Sequence, residues 1–266
     1  MYIAKLMYHK WEEEPISMTK SGFAGTFAIF FYCCNMKCVY CQNSKISHVP
    51  FPGSYNSPIQ FVCTADELSD EMILAEKNNA ASISFITGVL YVDEIVKTIR
   101  LAKEKGLKIP IVYNSSGYET VSQIKKLDGL IDIYLPDFKY SDNELGKLYS
   151  KVPNYTDIAK LSIEEMYRQV GNKMIVRHLV LPGHTENAKK IIKYLYDTYG
   201  DNIYLSIMSQ YTPMPDNKGL SSFPNLQRKL TKREYEKVLN YAIELGIKNA
   251  YFQEGDVAKE SFIPDF

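Results

Sequence analysis

The feature that most limits the possible folds of this chain is a regular alternation of short apolar runs with longer amphipathic segments. The apolar runs are rich in β-branched and aromatic residues and predict strands, whereas the segments between them have helical periodicity. The predicted strands are 24–32, 82–87, 110–115, 131–138, 174–181, 203–209 and 250–254. The predicted helices are 64–79, 91–106, 119–127, 143–169, 185–199 and 231–245.

This alternation predicts an α/β fold in which crossover helices join parallel strands. The strands are nearly continuous apolar runs, as expected when both faces of the sheet are covered. A barrel-like and a doubly wound arrangement both satisfy the pattern. In either one, ligands bind where the carboxyl ends of the strands meet. The polar stretches that follow the strands are therefore expected to converge; they read "NSSGY", "PDFKY", "LPGHTEN" and "MSQY".

The charge balance and the hydropathy of the chain indicate the cellular compartment and the kinds of partner to expect. Lys and Arg total 31, equal to the 31 Asp and Glu, so no global field attracts nucleic acid or an anionic membrane. The chain starts without the long apolar stretch of a signal peptide, and no run of about 18 apolar residues predicts a membrane span. We therefore expect a cytoplasmic protein. In that reducing compartment, clustered cysteines serve as ligands or catalysts more often than as disulfides.

Four of the five cysteines lie within residues 33–41, directly after the first predicted strand. Cys34, Cys38 and Cys41 have C-x3-C-x2-C spacing, with which three thiolates can hold three irons of a cubane and leave the fourth iron open. Zinc is the chief alternative, because His48 would complete a Cys3His ligand set. Such zinc sites usually stand in small, loop-rich modules, so the position at a strand end favours an iron–sulfur cluster. Simple burial of the three thiols is the third alternative.

The loop "CNMKCVYCQN" resembles the cluster loop of the radical S-adenosylmethionine (SAM) superfamily. The sequence outside this loop is similar to the pyruvate-formate-lyase-activating-enzyme-like branch of that superfamily. The resemblance runs from about residue 14 to the C-terminus. The stretches that carry it are "EPIS", "LKIPIVYNSSGYE", "IDIYLPDFKY", "VRHLVLPGH", "MSQY" and "QEGD".

The resemblance implies a partial (β/α)6-type radical SAM barrel that binds one [4Fe–4S] cluster and SAM. Residues 1–266 would form a single radical SAM domain, with a core of about 24–210 and a C-terminal helix and strand in 228–255. Cys34, Cys38 and Cys41 would hold the cluster, and the amino and carboxylate groups of SAM would chelate the open iron. One electron would then break the C5′–S bond of SAM, giving methionine and a 5′-deoxyadenosyl radical that abstracts hydrogen from a substrate.

The resemblance also implies contacts with SAM. Tyr40 matches an aromatic position beside the adenine of SAM, although an aromatic in that place can also serve only in packing. Asp137 and Lys139 match an Asp-x-Lys pair that approaches the SAM ribose and carboxylate; a surface ion pair is the alternative. Being two residues apart at a strand end, these two side chains face the same side.

Other positions are implied to lie around the same ligand. Asn114 and Ser116 are expected to bond the ribose, with capping of the following helix as their alternative role. Thr87 and Gly88 match positions where backbone groups approach the SAM amino group, and glycine permits that approach.

The segment around the fifth predicted strand supplies the last expected contacts. Leu181 and Gly183 match positions that line the adenine pocket. His184 is expected to contact cofactor or substrate, with a structural role at a helix start as the alternative. Arg177 and His178 are neighbouring strand residues, so if one faces the barrel interior the other faces outward.

Two positions depart from the pattern of the family. Cys33 stands where glycine is common before the first cluster cysteine, and we expect it to pack as a small hydrophobe. The alternative is that Cys33 replaces Cys34 as a cluster ligand by a shift of register, although C-x4-C-x2-C spacing is unfamiliar. Residues 87–90 read "TGVL" where members of the branch typically read "TPTH". Only Cys33 and Cys63 remain outside the motif, so a second cluster within the chain is not expected.

The expected function is that of a radical SAM oxidoreductase acting under anaerobic conditions with a flavodoxin- or ferredoxin-like one-electron donor. Activation of a glycyl-radical enzyme, and radical modification of a peptide or a small molecule, both fit the motif, because fold and SAM site do not separate them. A non-enzymatic alternative is an iron–sulfur electron carrier or a zinc-stabilised binding module.

We predict that Cys34, Cys38 and Cys41 are each required for the cluster, whereas Cys33 and Cys63 are not. The reason is the spacing of the first three and the absence of any motif around the other two. Iron and sulfide analysis of five single Cys→Ala variants after anaerobic reconstitution measures this directly. A full cluster in the Cys38→Ala variant would contradict the prediction.

Overall fold

A computed structural model describes residues 1–10, 12–19, 22–50, 62–214, 216–217 and 219–253. The strands are β1 Ile3–His9, β2 Met18–Thr19, β3 Gly22–Phe23, β4 Thr26–Phe31, β5 Ser82–Ile86, β6 Ile111–Ser115, β7 Ile133–Pro136, β8 Ile175–Leu179, β9 Tyr204–Met208 and β10 Ala250–Phe252. The helices are α1 Glu14–Ser17, α2 Ser44–Ser47, α3 Ala65–Lys77, α4 Val92–Glu104, α5 Val121–Lys125, α6 Asn143–Ser150, α7 Tyr155–Val170, α8 Thr185–Tyr199 and α9 Lys232–Glu244.

The strands from β4 to β10 run parallel and stand side by side in chain order. β4, β5, β6 and β7 form one parallel series, and β8, β9 and β10 form a second. Two isolated parallel bridges, Tyr134 to Met174 and Asp137 to Arg177, connect the series between β7 and β8. The predicted α/β fold with a partial barrel of parallel strands is therefore confirmed.

The antiparallel strand β1 was not expected from the sequence. It pairs with β4 along its whole length, from Ile3 opposite Phe31 to His9 opposite Thr26. The short hairpin of β2 and β3 was also missed. The first strand of the parallel series thus has an antiparallel neighbour on its open side.

The helical material predicted for 143–169 forms two helices, α6 and α7. The chain breaks where Lys151 and Asn154 adopt left-handed backbone conformations, with φ of 57° and 52°. Pro153 between them explains the break, since proline lacks an N–H and disfavours helical geometry in the residue before it. The predicted capping box at the start of α3 is confirmed: Thr64 and Glu67 exchange side-chain and backbone hydrogen bonds.

The segment around α1 packs on the inner face of the strands. Ile16 is completely buried among Val112, Leu135 and Ile175, one residue from each of three strands. Ser82 on β5 donates its hydroxyl to the Ile16 carbonyl at 2.7 Å. Because α1 fills the lower part of the barrel, the cavity lies above it, toward the carboxyl ends of the strands.

Gly117 follows β6 at a point where the chain passes very close to the end of β7. Its φ is 77°, and a Cβ atom there would overlap the Asp137 carbonyl oxygen. Gly129 has a similar φ of 74°, but a Cβ atom at that position meets nothing within 4 Å. The two glycines thus share a backbone conformation and differ in the space around them. Across the described ranges, no helix combines the length and the apolarity needed to cross a membrane.

We predict that Gly117→Ala destabilises the fold much more than Gly129→Ala. Gly129→Ala, the matched control, should lower the free energy of unfolding by about 1 kcal/mol, which is the cost of a left-handed conformation in a non-glycine residue. Gly117→Ala should lower the free energy of unfolding by about 1–3 kcal/mol more than the control does, because its methyl group must displace the β7 backbone. Chemical denaturation of both variants gives the two free energies of unfolding, and equal losses would contradict the close packing.

Candidate active site

The cysteine loop leaves β4 and turns across the carboxyl ends of the strands. Cys34, Cys38 and Cys41 line one open cavity there, and all three are free thiols. The loop backbone is held by the end of α6: Lys37 N–H donates to the Ser150 carbonyl at 3.0 Å, and Val39 N–H donates to the Tyr149 carbonyl at 2.8 Å.

Each of the three thiols already has a polar neighbour. The Met36 N–H donates to Cys34 Sγ at 3.4 Å. Cys38 Sγ lies 3.0 Å from the Ser150 hydroxyl, and Cys41 Sγ lies 3.2 Å from the Ser47 hydroxyl. Hydrogen bonds to sulfur are among the features that tune an iron–sulfur cluster, so these contacts suit thiolate ligands.

The placement of the thiols fits a polynuclear cluster better than a single ion. Within the described part of the chain, no three His, Cys, Asp or Glu side chains are placed to share one metal ion. His48, the fourth ligand of the zinc alternative, is not among the described residues that line the cavity with the three cysteines. A cubane places each thiolate on a different iron, which suits three separate thiols on one cavity wall.

Burial also determines the protonation of these thiols. It raises the pKa of Cys34 to about 12 and that of Cys38 to about 11, and it raises the pKa of Cys41 as well. The thiols are therefore protonated at neutral pH until metal binds, and binding releases protons.

Cys33 and Cys63 lie apart from the cavity wall. Cys33 is buried, has a φ of 69°, and points its sulfur toward the Val49 carbonyl at 3.8 Å. This agrees with the expected packing role. Cys63 stands just before α3, with its sulfur 3.5 Å from the Thr64 carbonyl.

Six residues predicted to bind SAM line the same cavity as the three cysteines. They are Tyr40, Thr87, Asn114, Ser116, Asp137 and Lys139. Residues from four different strand ends thus meet at one rim, as the parallel topology requires.

Asp137 and Lys139 form an ion pair within the cavity wall. Their side chains are 26% and 18% exposed, so the pair is not an exposed surface salt bridge. Burial of Lys139 opposes its charge, but the Asp137 carboxylate and nearby acidic groups outweigh that effect and raise the pKa of the ammonium above its ordinary value. The Lys139 ammonium is therefore charged at neutral pH, and the pair faces the space beside the thiols.

Tyr155 positions the backbone around this pair. Its hydroxyl accepts from the Lys139 N–H at 3.0 Å and lies 2.9 Å from the Ser116 carbonyl and 3.0 Å from the Asp137 carbonyl. One buried phenol thus ties the end of β6 to the end of β7. The sequence contained no signal for this role, because Tyr155 lies at the start of a helix far along the chain.

Four predicted SAM contacts do not lie among the described residues that line the cavity: Gly88, Leu181, Gly183 and His184. Gly88 is packed so tightly that a Cβ atom would overlap Ile95 of α4. Gly183 donates its N–H to Glu234 at 2.8 Å, and His184 Nε2 lies 2.9 Å from the Tyr149 hydroxyl. In this structure these residues have packing partners, and their predicted contacts with cofactor stay predictions.

The cavity also contains a buried cluster of charges that the sequence did not predict. Arg177 faces the interior and forms ion pairs with Glu12 and Glu13, whereas its neighbour His178 is buried and contacts the Phe138 carbonyl through Nδ1 at 2.8 Å. Burial would raise the pKa of Glu13, but Arg177 outweighs it and lowers that pKa. His9 lies 3.7 Å from Glu12.

In the sequence, the acidic run "EEE" stands directly beside the apolar residues "PI". This run was the signal for the cluster, because acidic residues are unusual at the inner face of a barrel. Glu12, Arg177 and His9 line the cavity with Met208 and Gln210. The interior of the barrel is therefore polar around Arg177 as well as beside the thiols.

Glu119 is a second buried acid that lies behind the cavity. It is 1% exposed, and its Oε2 accepts from the Ser115 hydroxyl at 2.5 Å, while its Oε1 has no partner in the described structure. Burial raises the pKa of Glu119 to about 7, and Asp137 raises it further, whereas Ser115 and Lys139 act against the shift. The carboxyl is thus half-protonated near neutral pH.

The fold and the cavity define an α/β barrel with a three-cysteine loop at the carboxyl end of its first parallel strand. Residues 28–195 match the model of the radical SAM superfamily, and the chain belongs to that superfamily. Its members are enzymes that bind a [4Fe–4S] cluster and SAM, so the predicted cofactors are confirmed at the level of the family.

Among known proteins, the chain is 33% identical over 228 residues to an uncharacterized protein of Methanocaldococcus jannaschii, covering 84% of this chain and 63% of that protein. It is 23% identical over 177 residues to the pyruvate formate-lyase-activating enzyme of Streptococcus mutans, covering 63% of each. The chain thus spans about 63% of the length of these relatives, and the likeness to the activating-enzyme branch is distant.

The structure is also similar to a radical SAM methyltransferase from Sphaerobacter thermophilus. The TM-score is 0.60 at 14% identity, over 89% of this chain and 71% of the other. This likeness shows the shared fold.

We predict that Glu119 makes the fold less stable as the pH rises from about 4.5 to about 7. Its pKa is higher in the folded state, so the folded state binds the proton more tightly in this range and the free energy of unfolding falls until the folded pKa is passed. The loss amounts to roughly 3 kcal/mol, counting about 1.4 kcal/mol per unit of pKa. In Glu119→Gln this decrease should be absent.

Denaturant titrations of both proteins between about pH 5.5 and 8 compare the two slopes, since all other titrating groups are shared. If the free energies of unfolding of wild type and variant differ by the same amount at every pH, the raised pKa assigned to Glu119 is contradicted.

Proposed function

We propose that this chain cleaves SAM reductively and delivers the resulting radical to a substrate in the barrel interior. The observation that carries the proposal is that three cluster-spaced thiols and the Asp137–Lys139 ion pair face one cavity. A cluster held by three thiolates leaves one iron for an external ligand, and a zwitterion is the kind of ligand that a paired carboxylate and ammonium can hold.

When bound, the cluster supplies the electron that breaks the C5′–S bond of SAM. The chain binds and orients the other parts of SAM. Lys139 is positioned to pair with the SAM carboxylate, and Asp137 can accept from the ribose hydroxyls or the amino group. Since the two side chains pair with each other in the absence of ligand, SAM binding exchanges that contact for two new ones.

In this proposal Tyr40 contacts the adenine. Its side chain is buried, and its hydroxyl lies 2.6 Å from the Tyr140 hydroxyl, which fixes the ring within the cysteine loop. Asn114 and Ser116 provide an amide and a hydroxyl at the end of β6. The buried Ser116 Oγ has no hydrogen-bond partner among the described atoms, and a ribose hydroxyl would satisfy it.

The substrate that we propose first is a glycine residue in a partner protein, as in activation of a glycyl-radical enzyme. The support is the distant likeness to the pyruvate formate-lyase-activating enzyme of Streptococcus mutans. The Arg177 cluster in the same cavity would then face the incoming peptide, and the open cavity would admit it.

The proposal is tested by incubating the reconstituted protein with dithionite and SAM under anaerobic conditions. We expect slow formation of 5′-deoxyadenosine, measured by chromatography of the quenched mixture. An intact, reducible cluster that forms no 5′-deoxyadenosine would contradict the proposal and favour an electron carrier.

We further predict that Asp137→Asn and Lys139→Ala keep normal iron content and colour while losing SAM affinity. A hydrogen bond to a charged group contributes about 1.5–3 kcal/mol. Loss of one such bond should weaken SAM binding roughly tenfold to a hundredfold, at about 1.4 kcal/mol per decade. Titration of SAM into each reconstituted variant measures this, and 5′-deoxyadenosine formation should fall in parallel.

Asp93→Asn and Lys126→Ala are matched controls, because these two residues also form an ion pair but lie exposed on the outer helices. Both controls should retain the affinity of the wild type. Wild-type affinity in the Asp137 and Lys139 variants as well would remove that pair from the SAM site.

A further inference from the structure

The sequence has a marked local imbalance of charge although its net charge is zero. Residues 15–65, 145–156 and 217–233 contain no Asp or Glu, but each range contains several basic residues. In a chain with equal numbers of acids and bases, long ranges without carboxylates leave the surfaces they form positive.

The fold brings these three ranges together around the cysteine loop. Val39 donates its backbone N–H to the Tyr149 carbonyl, and Asn217 Nδ2 donates to the Cys41 carbonyl at 2.8 Å. The Tyr149 and Phe223 rings are 5.0 Å apart and join the second range to the third. We call the exposed surface of 35–48, 145–151, 217 and 219–229 the cluster-loop face.

Three lysines on this face have no carboxylate partner among the described residues: Lys37, Lys45 and Lys151. All three are exposed. Lys37 and Lys151 donate only to backbone carbonyls, at 3.0 Å and 2.9 Å.

We propose that the cluster-loop face is the docking surface for an acidic one-electron donor protein of the flavodoxin or ferredoxin type. This inference rests on the proposed function, because only a cluster that must be reduced needs such a partner. In the step, the donor is oxidised by one electron and the cluster is reduced by one, with no bond made or broken. Complementary charge raises the association rate and selects the partner.

The position of the lysines supports transfer at this face. Lys37 directly precedes Cys38, and its backbone N–H bonds the carbonyl of Ser150, whose hydroxyl lies 3.0 Å from Cys38 Sγ. A protein seated on these lysines lies directly over the loop that would hold the cluster. The SAM-facing residues open on the cavity side of the same loop, so donor and substrate need not compete for one surface.

The test measures binding of an oxidised flavodoxin to the reconstituted protein by isothermal titration calorimetry. Lys45→Glu combined with Lys151→Glu should weaken binding at least about tenfold, since each reversal replaces an attraction by a repulsion. Lys77→Glu is the matched control, because Lys77 is an exposed lysine at the end of α3, where the chain turns back toward the amino ends of the strands. It should leave the affinity unchanged.

Salt provides an independent measurement on the unmodified protein. Raising the ionic strength from about 0.05 M to about 0.5 M shortens the screening length and should weaken flavodoxin binding strongly. Affinity that is independent of salt, or equal in the double variant and the wild type, would overturn the proposal. Tighter binding of an RNA duplex than of flavodoxin to this face would overturn it as well and assign the surface to nucleic acid.

Chemical reduction separates this inference from the proposed function. The double variant should still form 5′-deoxyadenosine with dithionite at the wild-type level. If dithionite gives no 5′-deoxyadenosine even in the wild type, the proposed function fails; if flavodoxin binding alone is unaffected by the lysines, only the docking surface fails.

Discussion

The parallel pairing of successive strands is the constraint on which the candidate site depends. Because β4 to β10 all point the same way, every loop that follows a strand reaches the same rim. Cys34, Asn114 and Asp137 are far apart in sequence, yet they line one cavity for this reason. A single strand reversed within the series would carry its polar residues to the opposite end.

The second requirement is that the charges on the rim and in the interior be neutralised locally. Asp137 pairs with Lys139 beside the thiols, and Arg177 pairs with Glu12 and Glu13 across the lumen. A buried charge without a partner costs several kcal/mol, so these pairs allow a polar interior in a folded barrel. A zwitterionic ligand needs a polar interior, because the polar groups of the protein replace the hydrating water that the ligand loses on binding.

Much of this arrangement could be predicted because the relevant signals are local. The apolar runs marked the parallel strands, and the cysteine spacing together with the Asp137–Lys139 pair marked residues that do share a cavity. The strand β1 was missed because its stability comes from pairing with β4, a long-range contact that a local pattern does not contain. The partners of Arg177 were missed for the same reason, since Glu12 and Glu13 reach it only because α1 enters the barrel.

The connection between β7 and β8 has a mechanical consequence. The two parallel series are joined there by isolated bridges and by the Phe138 N–H, which donates to the Arg177 carbonyl at 2.8 Å. Asp137 stands on one side of this seam and Arg177 on the other, so the seam joins the ion pair beside the thiols to the charged cluster around Arg177. A few backbone hydrogen bonds between β7 and β8 thus fix how the two charged groups stand relative to each other within one cavity.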